Sequence, residues 1–146
     1  MTADTHDKCS GVVPMISYED PVTTIEWLEK AFGFRELRDQ RYTQPDGSIG
    51  HAELATGTGS IALAGPLPDY QSPKRHREDC EAAARWSRLP WVIDGVQVSV
   101  ADIDQHFAAA QAAGARLLSG IEENPYGRLY RAEDVEGHRW MFIQLP

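Results

Sequence analysis

The residues best equipped for chemistry in this chain are a histidine and a carboxylate two positions apart, His51 and Glu53. Strand alternation puts residues i and i+2 on one face, so an imidazole base and a carboxylate that orients it would share a surface. The same spacing also suits a solvated pair on the rim of a hairpin, since glutamate is mostly exposed. A second polar concentration is "PYGRLYRAEDVEGHRWMF", residues 125–142, which holds Arg131, Glu133, Asp134, Glu136 and His138. Asp134, Glu136 and Gly137 are turn-forming types with His138 just beyond them, which makes the segment the frame of a pocket rather than a catalytic centre. His51 is therefore the one candidate for a catalytic base. There is no phosphate-binding glycine loop, no G-x-S-x-G elbow and no H-x-x-x-H spacing.

The bulk composition narrows the partners. Fourteen basic against 22 acidic residues give a net charge of −8, which excludes a general affinity for nucleic acid or an anionic membrane. Lys74, Arg75 and Arg77 are followed at once by Glu78 and Asp79, the pattern of a solvated helix face. Cys9 and Cys80 show neither CxxC nor zinc spacing, so reduced thiols in a cytoplasmic protein are expected. The polar start "MTADTHDKCS" is unlike a signal peptide, and no apolar run approaches the roughly 18 residues of a membrane span.

The elements that must position these side chains occur twice. "ISYED" (16–20) and "VSVAD" (98–102) are short β-rich runs ending in acidic residues, each followed by a helical period. In the first, Ile25, Leu28 and Phe32 share a face, Asp20 and Pro21 start the helix and Gly33 stops it. In the second, Ile103, Phe107 and Ala110 share a face and Gly114 ends it. "GSIGHAELATG" (47–57) then matches "GRLYRAEDVEG" (127–137) at an offset of 80, which places His51 over Arg131 and Glu53 over Glu133. "RELRDQRYTQ" (35–44) and "ARLLSG" (115–120) supply the strand before each hairpin. The expected fold is α+β, one domain over 1–146 built from two βαβββ modules, about 11–66 and 93–146. A linker, 67–92, joins them, with a helix running from Ser72-Pro73 to Arg88.

A tandem βαβββ pattern carrying "DPVTTIEWLEKAFGF", "DGSIGHAEL" and "PYGRLYRAEDVEGHRW" resembles the vicinal oxygen chelate superfamily, which holds glyoxalase I, extradiol dioxygenases and bleomycin resistance proteins. The words look most like its PhnB-like or bleomycin-resistance-like branch. The resemblance implies curved sheets around a cleft, helices outside, a homodimer, and up to four metal ligands from the first and last strand of each module. The matching positions are Val13, Ile61, Gly95 and Met141, none with a donor atom for a hard cation, so no metal and no cofactor are expected. Turning those positions inward puts Met15 and Ser17, Gln97 and Ser99, and an apolar wall of Ile61, Leu63, Met141 and Ile143 in the cleft, with His51 and Arg131 at its mouth. The function expected is metal-independent binding of a small aromatic or cationic organic ligand, such as an antibiotic. Trp86 and Trp91 at the linker end would either cover it by stacking or pack against the sheet. The alternative is an enzyme (lyase, isomerase or dioxygenase) with an unusual metal site or with His51 as a metal-free base.

Overall fold

The computed structural model describes residues 11–65, 67–91 and 94–146; Cys9 and the polar leader lie outside the described residues. In the first module the Asp20 carboxylate accepts the Thr23 N–H and Pro21 opens helix α1 (Pro21–Phe32). Gly33, at φ 73°, closes it by donating to the Glu29 carbonyl, a left-handed cap that glycine adopts without a Cβ penalty. Strands β1 (Met15–Ser17), β2 (Arg35–Glu36), β3 (Tyr42–Thr43), β4 (Ile49–Ala55) and β5 (Ser60–Ala64) form one sheet. Its order is β1-β5-β4-β2, with β3 also on β4 and β1 parallel to β5. The single strand expected over 35–44 is two pieces, because the Arg41 guanidinium forks onto the buried Glu36 carboxylate at 2.7 Å and a 3-10 turn, Arg38–Gln40, takes up the intervening chain.

The second module repeats the plan. Strand β6 (Gly95–Ser99) leads into helix α4 (Ile103–Ala112), capped by Asp102, and then into β7 (Arg116–Leu117), β8 (Glu122–Asn124), β9 (Gly127–Glu133) and β10 (Arg139–Gln144). The sheet order is β6-β10-β9-β7 with β8 also on β9. Between the modules, Ser72 caps helix α2 (Pro73–Asp79) by accepting the Arg75 N–H. The continuous helix expected to Arg88 is interrupted at Cys80, whose backbone is extended, and resumes as α3 (Glu81–Trp86). The break gives each short helix its own inward face at i, i+3, i+4: Pro73, His76 and Arg77 on one, Ala83, Trp86 and Ser87 on the other.

One core joins the halves. Phe32 of α1 lies 4.6 Å from Phe142 and 5.7 Å from Trp140, and Phe34 lies 5.4 Å from Trp140, ring to ring. His106 of α4 is the polar bolt in this cluster: its Nε2–H donates to the Phe32 carbonyl (2.9 Å) and its Nδ1 accepts from the Tyr130 hydroxyl (2.6 Å), which fixes a neutral tautomer. A second seam ties the β9–β10 turn to the start of α1. The Tyr18 hydroxyl donates to the buried Asp134 carboxylate at 2.6 Å, and the Glu136 carboxylate accepts the N–H groups of Glu19 (2.7 Å) and Asp20 (2.8 Å).

Candidate functional site

Each sheet has one face under the helices and one open face. Register assigns the open residues in rows: Ser17, Ala64 and His51, then Met15, Ala62 and Glu53, on the first sheet. On the second the same face carries Gln97, Met141 and Arg131, then Gly95, Arg139 and Glu133, then Ser99, Ile143 and Leu129, of which Arg139, Glu133, Ile143 and Leu129 are covered. Met15 is 77% exposed, and Gly95, Gln97 and Ser99 are exposed, whereas Ile16 and Val98 between them are buried. Ile61 and Leu63 are a correction. They are buried in the core beside Ile16, not in the cleft, and the open residues of β5 are Ser60, Ala62 and Ala64.

The cause is the length of a turn. Glu53 faces Ala62, nine residues on, whereas its counterpart Glu133 faces Arg139, six residues on. The first hairpin is three residues longer, so the offset between the halves falls from 80 to 77 across the turn. An odd change exchanges the two faces of the following strand.

His51 and Glu53 do meet: Nε2 lies 2.9 Å from Oε1, with the imidazole 41% and the carboxylate 13% exposed. Arg131 is not a free cation at a mouth; its partner is Glu122 across the β8–β9 pair, rather than Glu133 or Asp134. Glu133 is the larger surprise. Sequence alternation and residue type place it on a solvated rim, yet its side chain is 2% exposed and receives Arg77 (2.9 Å), Arg116 (3.2 Å) and Arg139 (3.1 Å). Arg77 is correspondingly turned inward, 20% exposed, rather than part of a solvated helix face.

These contacts build a cavity of about 370 Å³ between the linker helices and one end of the open face of the second sheet. The floor is Glu133 and Arg139 with the Gly137-His138 turn; the roof is the inward faces of α2 and α3, including His76, Arg77 and Trp86. Tyr70 and the exposed Asp94 stand at its sides. Arg139 pins the roof by donating to the carbonyls of Ser87 (2.6 Å), Leu89 (2.7 Å) and Trp91 (2.8 Å). His138 is a hydrogen-bonded turn histidine whose Nε2–H donates to the Ser17 carbonyl (2.8 Å), which also accepts from Tyr70 (2.9 Å). Burial pushes the Tyr70 hydroxyl up to about 12, helped by Glu136, Glu19 and Asp134, so it stays a donor at neutral pH. Burial also pushes the Asp134 carboxyl upward, against the pull of His138 and of its own hydrogen bonds.

Of the side chains weighed from sequence for ligand contact, Trp86 lines this cavity, whereas Met15, Ser17 and His51 lie on the first open sheet face, and Gln97, Ser99, Arg131 and Met141 on the second, next to the cavity rather than in it. The signal for the roof was present in the inward spacing of Pro73, His76 and Arg77, but charge alone concealed it. A metal held in the family manner needs donors on the first and last strands of each module. The open residues of β1, β5, β6 and β10 include no His, Cys, Asp or Glu, and no group of three or more such residues among those described is placed to hold an ion. The residues do not fit a metal at those positions.

Similar proteins agree with this architecture. The uncharacterized protein Rv0887c of Mycobacterium tuberculosis is 27% identical over 136 residues, 90% of this chain and 72% of that protein. The crystal structure of TioX from Micromonospora sp. ML1 superposes with a TM-score of 0.65 at 32% identity, covering 94% of this chain and 97% of TioX. The fosfomycin resistance protein FosX from Listeria monocytogenes, 11% identical, shares the fold with a TM-score of 0.63 over 95% of this chain and 96% of its own. A profile of the family described as the Glyoxalase/Bleomycin resistance protein/Dioxygenase superfamily matches residues 12–142. Duplicated βαβββ modules, paired mixed sheets and a match across nearly the whole length together mean that the chain belongs to the glyoxalase/bleomycin resistance protein/dioxygenase superfamily.

Proposed function

We propose that this protein binds a small organic molecule, without a metal, on the open face of its second sheet, with the cavity under the linker helices as the enclosed end of the site. The observation that carries the reading is that cavity: about 370 Å³ lies within the usual range of small-molecule sites, and its walls mix apolar, aromatic and hydrogen-bonding groups. The donor-free strand faces support binding over metal-assisted turnover. Sequestration of an antibiotic or a comparable organic compound in the cytoplasm is the physiological form of this reading. A second copy of the chain covers the exposed sheet faces, Met15 and Tyr42 among them, in a homodimer. Sedimentation should give about twice the 16.3 kDa chain mass; a monomer at micromolar concentration refutes the dimer.

Calorimetric screening of organic compounds in the presence of a chelator tests the main reading. Stoichiometric binding unaffected by the chelator is expected, and tight stoichiometric binding of Ni, Mn, Fe or Zn to the protein overturns it. The 2.9 Å contact between His51 and Glu53 favours a second reading, in which His51 is a general base oriented by the carboxylate. On that reading His51→Ala abolishes turnover of a bound compound while preserving its affinity.

A further inference from the structure

The arginines around Glu133 differ in how much of their hydrogen-bonding capacity is used. A guanidinium has five N–H donors. Arg139 places four in hydrogen bonds, Nε on Glu133 and three on the carbonyls of Ser87, Leu89 and Trp91, with Nη2 also ion-paired to Glu133 at 3.1 Å. Arg116 sits on β7 with half its side chain in solvent. Arg77 reaches both Glu133 oxygens through Nη1 alone, at 2.9 and 3.1 Å, and its Nε and Nη2 have no partner among the described residues although the side chain is four-fifths buried on the cavity wall. Three guanidiniums share the Glu133 carboxylate at this end of the cavity, while Glu136, Glu19 and Asp134 act on Tyr70 at its side. The other carboxylate on the lining, Asp94, is exposed.

Trp86 lines the same cavity from α3 and is 62% exposed, an indole face waiting for a planar partner. Nδ1 of His138, with Nε2–H committed to Ser17, is left as an acceptor for a hydroxyl or N–H of a guest. From this arrangement we infer that the cavity takes a planar aromatic compound bearing a carboxylate, the acid forked onto Arg77 and the ring stacked on Trp86. This rests on the binding reading above and names its ligand class. A cation of the same shape meets the arginines instead, and is rejected.

The test titrates 2-naphthoate and 2-naphthylmethylamine, matched rings of opposite charge, into the full chain by tryptophan fluorescence and calorimetry. The naphthoate should bind at least about tenfold more tightly than the amine, the scale of one charge-assisted contact. Arg77→Gln should weaken naphthoate about tenfold, and Trp86→Ala, at an exposed position that leaves the fold intact, about fivefold. Equal or tighter binding of the amine, no binding of either, or unchanged naphthoate affinity in Trp86→Ala overturns the inference. If neither binds while compounds from the screen do, the ligand class is wrong and the binding reading stands; if nothing in the screen binds, both fall.

Discussion

Glu133 shows how a single side chain can hold a site without contacting a guest. Its carboxylate neutralises part of three guanidiniums that come from the linker, β7 and β10, and its removal leaves the buried guanidiniums of Arg77 and Arg139 without a counter-charge. Glu133→Ala should cost about 3 to 5 kcal/mol in urea denaturation, the scale for one half of a buried ion pair. His106 predicts a pH effect. Burial lowers its pKa below the ordinary 6.5, so on acidification the unfolded chain takes up a proton before the folded chain does. The His106 contribution is complete above pH 6.5 and is lost as pH falls toward the folded-state value. Between about pH 7.5 and about pH 5.5 the native protein should lose more stability than His106→Gln, and parallel curves for the two would contradict this. At this scale the sequence was only partly legible. The His51–Glu53 contact followed from alternation, but the burial of Glu133 depended on arginines 56 and 17 residues away and one six residues on, which no local pattern connects.

Elements were legible where their signals are local. Asp20, Pro21 and Gly33 bound α1, and Ser72 with Pro73 starts α2, because caps act within one turn. The break at Cys80 was not, since it serves two helix faces that meet the sheet only in the folded chain. The faces of β5 were also misjudged, through the turn before it. Gly137 makes a prediction here. It has φ 90°, and a Cβ at that position would stand 2.7 Å from the Lys74 backbone nitrogen, which itself donates to the Glu136 carbonyl at 3.0 Å. Gly137→Ala should therefore lift the first turn of α2 from the sheet, costing about 1 to 2 kcal/mol from the backbone alone. Hydrogen exchange should accelerate selectively over 72–79, and unchanged protection there would show that the roof docks elsewhere.

Across the whole molecule, aromatic and polar contacts cross between the two modules, so the two should unfold together. Phe142 touches Phe32 from the other half and is fully buried, so Phe142→Ala should cost about 3 to 5 kcal/mol, with fluorescence and circular dichroism midpoints that remain coincident. Separate midpoints would mean that the halves are independent. The duplication was the most legible property of the sequence, since a period needs no tertiary knowledge, while the location of the cavity was the least, since its roof belongs to neither repeat. With three extra residues in its hairpin, β5 still turns the same face outward as its twin β10, but the equivalent open positions are Ala62 and Ala64 where the second module has Arg139 and Met141. A scaffold made of twins thus furnishes its two hollows unequally, a smooth one floored by small methyl groups and another floored by a guanidinium and a thioether.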